Sequence, residues 1–395
     1  MSNLKFKKSR NILFLLNVLK LAFTAFGGPQ VHLVQFQKLL VNKKKYITPD
    51  DLKELNSFCS MLPGPTSTQT ITAIGFKIGG PTLAFFTLAI WVLPASLIIT
   101  ILAVIIHFYN IDNPKLDFLK YMQPMAVGFI IYAAYQIIQM FISKTYHWVL
   151  LIISASVAIL YQTPYLFPIL LLFGGVVSSQ LNKEKINKVK PIKNINWSNF
   201  FLFLAVSVLA ASLGAITQNK IVLLFENTYR YGSIVFGGGH VLIPIMYNQF
   251  VEIKHYLNPS EFLAGVGLVQ AMPGPVFSIA TYCNAMALQE FGIGGQLLGA
   301  VIGTIAIFLP GTFLIFFIYP IWNQVKTFTP IKNAIEGINA ASAGLVIASA
   351  YLLFKPVVLN QPNMIVLLLT LFLLLTTKVP SPIIVIICVL ASFIY

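Results

Sequence analysis

Charged positions in this chain come in clusters, and between the clusters lie long stretches with no Asp, Glu, Lys or Arg: Lys77 to Asp112, Lys120 to Lys144, Lys144 to Lys183, Lys193 to Lys220, Glu261 to Glu290 and Glu290 to Lys326. Each is long enough for at least one helical crossing, which takes about 20 residues. A transmembrane strand would need segments of about ten residues alternating polar and apolar, and runs such as Thr82 to Ile106 do not alternate. The pattern predicts an all-α polytopic membrane protein. Two early segments are interrupted near their middles, 11–42 at Gly27-Gly28-Pro29 and 55–78 at Pro63-Gly64-Pro65. Proline removes a donor and clashes with the preceding turn, and glycine accepts any backbone angle. Both places are therefore predicted to be helix ends inside the membrane, as broken helices or re-entrant hairpins. The Lys43–Lys45 cluster favours the hairpin for the first segment, since a simple crossing would carry it outside. Plainer helices are expected at 82–107, kinked at Pro94, and at 121–142, 147–161 and 165–180.

The chain repeats itself. At an offset of 210, Phe26-Gly27-Gly28 falls on Phe236-Gly237-Gly238, Pro63-Gly64-Pro65 on Pro273-Gly274-Pro275, Pro49 on Pro259, and Lys20 on Arg230. After a short insertion the offset becomes 216, placing Pro94 on Pro310, Gly128 on Gly344 and Pro164 on Pro380. The reading is an N-terminal repeat at 11–180, a Lys-rich linker plus one connecting helix (near 198–218) at 181–220, and a C-terminal repeat at 221–395. With both the N-terminus and the Lys183–Lys193 segment cytoplasmic, the extra helix delivers the second repeat upside down. Loop charge agrees: Lys38 to Glu54 carries five Lys against three acids, whereas Asn248 to Ala264 carries Lys254 against Glu252 and Glu261. The loop after the third helix changes the other way, from Asp112/Lys115/Asp117/Lys120 to Lys326/Lys332/Glu336. Inverted-topology repeats are expected.

Composition narrows the function. Of 395 residues 57% are apolar and 9% charged, and the net charge is +15. Fourteen of the 26 basic residues lie in Lys5–Arg10, Lys38–Lys53 and Lys183–Lys193. Basic clusters beside apolar segments are the positive-inside signal rather than a nucleic-acid surface. The basic start lacks a small-residue cleavage site, so no removable signal peptide is expected. Cys59, Cys283 and Cys388 stand singly and read as small buried hydrophobes, not as disulfide or metal partners. No HExxH, Walker A or paired-carboxylate constellation occurs. The expectation is no enzyme, no catalytic residue, no metal and no cofactor.

Backbone freed at membrane depth is tolerated where protein or a watery cavity surrounds it. A helix starting after Pro-Gly-Pro aims unpaired N–H groups and its positive dipole end at whatever precedes it. Two inverted copies would bring such ends together near the midplane, as expected for an anion site. Thr66, Ser67, Thr68 and Gln69 supply short neutral donors after the first turn, and Ser278, Thr281 and Asn284 fewer after the second. Packing alone would explain one Gly/Pro interruption; recurrence of Phe-Gly-Gly and Pro-Gly-Pro 37 residues apart in both halves favours a substrate pathway. His32 and His240 follow the glycine turns and read equally as substrate contacts or as structural hydrogen-bonding groups. Lys20 and Arg230 sit in apolar runs where charge is expensive, with anion binding and snorkelling both open. Glu226 and Glu336 are candidate proton carriers, with solvated helix ends the plainer reading.

Together these residues resemble the chromate ion transporter family in its long, two-domain form. The resemblance is carried by Phe23 to His32, Leu62 to Gln69, Phe236 to Pro244 and Gln270 to Phe277, in that order along both halves. It implies a secondary transporter of the prokaryotic inner membrane that exports chromate and so confers chromate resistance. It also implies that Lys20, Gly27, Gly28, Pro29, His32 and Pro63–Pro65, with Gly237, Gly238, Gly239, His240 and Pro273–Pro275, match recurrent motifs, Arg230 standing where Lys20 has its counterpart. The expected site is Gly27, Gly28, Pro29, His32, Pro63, Gly64, Pro65, Thr66, Ser67 and Gln69, with Gly237–His240, Pro273–Pro275 and Ser278, and Lys20 and Arg230 raising the local potential. The expected partners are a small inorganic oxyanion, chromate or sulfate, and the lipid bilayer, with no nucleic acid. Small-residue faces such as Gly295/Gly299/Gly303 pack within the chain or between chains of a homodimer. Sulfate or another small anion as cargo, a passive anion channel, and a membrane-embedded scaffold are the alternatives.

Overall fold

The computed structural model describes residues 2–112, 120–161, 166–181, 195–236, 238–322, 329–358, 361–377 and 379–394. Among them the secondary structure is helical, with no strand. Five helices are long and apolar enough to cross a membrane, Thr66–Phe108, Met122–Phe141, Ser198–Thr217, Gln289–Ile321 and Asn333–Phe354, and shorter apolar helices accompany them.

Both predicted interruptions are helix ends. Helix α1 (Ser2–Thr24) stops before Gly27, which takes φ 94°, and α2 (Gly28–Phe36) restarts with Pro29 in its first turn. From there α2 and a π-turn, Gln37–Lys43, run back along α1. The ring of Tyr46 lies 5.3 Å from Phe14, and Asn17 donates to its hydroxyl at 3.1 Å. The chain thus forms a helical hairpin, in which Tyr46, just after the Lys43–Lys45 cluster, returns to the level of Phe14 and Asn17. A second hairpin follows. Thr48 and Asp51 cap α3 (Pro49–Ser60) reciprocally, with Pro49 pre-set for the first turn. The Pro63-Gly64-Pro65 turn then reverses the chain into α4 (Thr66–Asp112), whose first arm returns until Lys77 pairs with Asp51 at 2.7 Å. Helices expected at 55–78 and 82–107 prove to be three pieces: α3 and two arms of α4, divided at Gly80 (φ 77°, ψ −168°) just before Pro81. Glycine adopts that angle without a Cβ penalty, and proline restarts the helix.

The second half uses the same sequence of devices. Helix α9 (Lys220–Ile234) leads to α10 (Gly239–Tyr247), a π-turn at Asn248–Ile253, and α11 (Pro259–Ala271) capped by Asn258 and Glu261. After Pro273-Gly274-Pro275 come α12 (Ile279–Ala287), a break at Gly292 (φ 66°) and α13 (Gly292–Ile318). Lys45 and His255, 210 apart, both take left-handed φ (53° and 49°). The two long arms run antiparallel. Gln296, near the start of α13, reaches the carbonyl of Ala103 late in α4, while Trp322, just past α13, donates to Glu54 of α3 at 3.0 Å.

Outside these lie α5 (Met122–Phe141), α6 (Thr145–Leu160), α7 (Leu166–Leu181), α14 (Thr329–Val358), α15 (Gln361–Thr376) and α16 (Ser381–Ile394). Small residues let them approach: a side chain at Gly337 would run into the Gly174 carbonyl, and one at Gly344 into that of Leu151. Helix α8 (Ser198–Thr217), with no counterpart in the first half, packs on α9 and α13 and exposes most of its apolar surface. The three cysteines are buried and free. The Lys183–Lys193 segment, Lys115, Asp117 and Lys326 lie outside the described residues.

Candidate functional site

The four hairpin tips meet, and they meet through backbone. Gly64 N–H donates to the carbonyl of Val235 at 2.7 Å, and Gly274 N–H to that of Ala25 at 2.9 Å. Donors and acceptors are each 210 apart, so every Pro-Gly-Pro turn is tied to the residue just before the other half's Phe-Gly-Gly. Gly64 (φ 117°) and Gly274 (φ 105°) occupy conformations that L side chains avoid. A Cβ at Gly64 would stand 3.6 Å from Cα of Gly311, and one at Gly274 2.8 Å from Cβ of Ala95, the residues that follow the helix-kinking Pro310 and Pro94. The glycine turns also approach each other, with Gly238 (φ 93°) facing Pro29. Gly27 and Gly28 take φ 94° and 81°. Gly239 opens α10 packed against Val276 of the following tip. Gly237 and the side chain of His240 lie outside the described residues.

Side chains differ between the halves. His32, fully buried on α2, pairs through Nδ1 with Ser67 Oγ at 2.9 Å and stands edge-on to Trp91 at 5.2 Å. Trp91 Nε1 donates to Thr68 Oγ1 at 3.2 Å, and Gln69 Nε2 to the carbonyl of Pro63 at 2.7 Å. The first turn of α4 at Thr66–Thr68 carries N–H groups that a helix leaves without intrahelical partners. Across the tips, Ser278 Oγ is buried with no protein partner, Thr281 pairs with Thr304 at 2.8 Å, and Asn284 with Thr228 at 3.0 Å. A void of about 10 Å³ remains between Pro65, Thr68, Gln69 and Gly311. That space is about one water-sized probe. The tips are closed on one another, and the N–H groups of Gly64 and Gly274 within the turns are occupied by the opposite half.

The chromate transporter family profile matches residues 12–179 and 222–393, and thus most of the chain. The chain belongs to the chromate transporter family. Its relatives include a chromate transport protein of Cupriavidus metallidurans, 24% identical over 372 residues (91% of this chain, 86% of that one). A chromate transport protein of Pseudomonas aeruginosa is 24% identical over 336 residues (83% and 77%). An uncharacterized transporter of Methanocaldococcus jannaschii is 25% identical over 342 residues (84% and 82%). No solved structure matches the chain.

In this chromate transporter family member the two basic positions part company. Lys20 is exposed on α1, as are Leu13, Leu16 and Leu19, so it stands on an apolar outer face. Arg230 instead lines a cavity with Glu226, 3.4 Å away, and is held by Asn227. Glu336 lies far along the chain's outer helices, paired with Lys144 at 2.6 Å. The histidines are not counterparts either: at the 210 offset Leu242 stands in the place of His32, and His240 in that of Gln30. Trp91 and Asn227 escaped the sequence reading. Asn227 had a usable signal, because Asn17 precedes it by 210 and both donate to the carbonyl four residues earlier.

Proposed function

We propose that this protein is a secondary transporter that exports chromate, a tetrahedral dianion, across the prokaryotic inner membrane by alternating access, and so confers chromate resistance. The reading places two inverted repeats, 11–180 and 221–395, about the junction of the tips, with the N-terminus and 183–193 cytoplasmic. The observation that carries it is the reciprocal pair of backbone bonds, Gly64 to Val235 and Gly274 to Ala25. The antiparallel course of α4 and α13 supports the inversion. Rocking one repeat against the other breaks one tie or both, and the released N–H groups join Ser67, Thr68 and the first turn of α4 around the anion. Helix-end N–H groups suit an oxyanion because they present donors and a positive dipole end without adding a net charge. Lys20, exposed on α1, then raises the local potential without touching the anion. Export of an anion from a negative-inside cell is favoured by about 2.3 kcal/mol per charge per 100 mV.

The test is chromate uptake into inverted vesicles, with sulfate as competitor and Gly64→Ala alongside the wild type. Saturable uptake that sulfate inhibits, lost in the variant while folded protein is retained, is the expected result. Flux that never saturates would make the protein a channel. Absence of chromate movement under any imposed potential or pH gradient would overturn the substrate.

A further inference from the structure

Beside α9, away from the tips, the structure holds a second polar space. A cavity of about 380 Å³ lies between α8, α9 and the second π-turn, lined by Gly214, Glu226, Asn227, Arg230, Gln249 and Lys254 among others. That is many times the roughly 30 Å³ share of one water, enough for a tetrahedral oxyanion with part of its hydration. The Arg230 guanidinium is set in place from two sides. Its Nε faces Glu226 Oε1 one turn earlier at 3.4 Å, and its Nη2 donates to Asn227 Oδ1. Asn227 Oδ1 also accepts from Gln249 Nε2 at 3.3 Å, tying α9 to the π-turn. Gln249 is 4% exposed and its Oε1 has no protein partner; a dianion carries no donor for that oxygen, so any contact between the two runs through a water of the anion's own hydration.

An arginine fixed in a cavity with polar lining suits planar, bidentate recognition of an oxyanion, and here a carboxylate of its own helix holds that place. With Lys254 at the rim, the cavity carries two positive charges against one negative. A dianion entering beside an ionised Glu226 leaves an excess negative charge; beside a protonated Glu226 the charges balance. The groups facing Glu226 are Arg230 and Tyr231 on α9 and Lys254 on the π-turn. Of the other helices packed on α9, α8 and α13 contain no titratable residue, and α10 carries His240 and Tyr247. The first half has no such device. At the 210 offset Leu16 replaces Glu226, Leu39 replaces Gln249, and no helix corresponds to α8.

We propose that this cavity is a second oxyanion site, in which Arg230 and Lys254 hold the anion and Glu226 is the internal carboxylate that the anion displaces, taking up a proton from solvent as it lets go. The site rests on the reading of the cargo as an oxyanion, and it links anion occupancy to protonation on one side of the molecule only.

The experiment is equilibrium binding of radiolabelled sulfate to the full-length protein in lipid nanodiscs, from neutral to mildly acidic pH, over which sulfate remains a dianion. Wild type is expected to bind two sulfates per chain, one tightening as pH falls. In Glu226→Gln that site binds at least about tenfold more tightly at neutral pH and no longer responds to pH, because a nearby like charge is gone. Arg230→Gln loses one sulfate and keeps the other, and Arg230→Lys, included in case the first variant misfolds, keeps both with weaker affinity at one. The cavity site is overturned if Glu226→Gln binds no more tightly or Arg230→Gln keeps wild-type stoichiometry. Gly64→Ala separates the two readings: retention of both sulfates in that variant sinks the tip site and leaves the cavity standing, and absence of sulfate binding in wild type sinks both.

Discussion

The two halves of the junction agree in backbone and disagree in side chains. Left-handed glycines at 64 and 274, the reciprocal N–H to carbonyl ties, left-handed Lys45 and His255, and capping boxes at Thr48/Asp51 and Asn258/Glu261 recur at one spacing. Around this frame His32 has no partner in kind, Ser67 has Phe277 as its counterpart in sequence, and exposed Lys20 corresponds to Arg230 in a cavity. The lesson is a division of labour. Reversing a chain twice inside a bilayer permits few backbone solutions, because each freed N–H and carbonyl must find a partner. The side chains that tune charge and donor number are not so constrained, and they have diverged.

The comparison is broken most severely at the Pro-Gly-Pro turns. Gly274→Ala is expected to cost about 3 kcal/mol, since it combines a positive φ with a Cβ contact to Ala95, a side chain that cannot swing away. Gly64→Ala meets the flexible end of Gln69 and should cost about 1–2 kcal/mol. Thermal unfolding in detergent would rank them; equal losses would mean that strain alone sets the cost. Gly80→Ala and Gly292→Ala sharpen the comparison from the opposite direction. Both positions are in open space with φ of 77° and 66°. They should lose the same amount, about 1–2 kcal/mol, in the same melting assay.

Replacing His32 by Leu, the residue found at 242, leaves the buried Ser67 hydroxyl without its partner. A loss of about 1 kcal/mol is expected, with a larger fall in chromate uptake than in stability if the pair lines the anion path. The smallest effect belongs to Lys77→Met at the outer end of the hairpins. The Lys77 ammonium beside Asp51 holds that carboxyl below its usual range. The stabilisation is therefore present above the unfolded carboxylate value and is lost as pH falls through the folded one. Both groups are partly exposed, so the amount is at most about 0.5 kcal/mol. Melting temperature against pH should show a shallower acid-side slope in the variant.

Much of this architecture was legible along the chain. The charge-free runs marked the helices, and the connecting helix expected near 198–218 is Ser198–Thr217. Gly27–Pro29 and Pro63–Pro65 announced the breaks because glycine and proline act within a residue or two of their own positions. The Gly80 break falls between the segments expected at 55–78 and 82–107, where Gly79-Gly80-Pro81 marks it for the same reason. The site was legible as backbone and much less so as chemistry: the tips were found, whereas the pairing of His32 with Ser67 spans 35 residues and that of Trp91 with Thr68 spans 23. The contrast between Lys20 and Arg230 had one local signal, Glu226 one turn before Arg230 where the first half has Leu16, and the cavity around it was not legible from that alone.

That the chain is helical and membrane-embedded, where its helices break and which motifs recur could all be read residue by residue, because desolvation of charge and backbone stereochemistry are local costs. Only the tertiary structure decided that each Pro-Gly-Pro turn is tied to the opposite half, that the tips close on one another, and that α8 walls Arg230 and Glu226 into a cavity. Those outcomes depend on which distant segments approach within hydrogen-bonding distance, and packing of whole helices sets that.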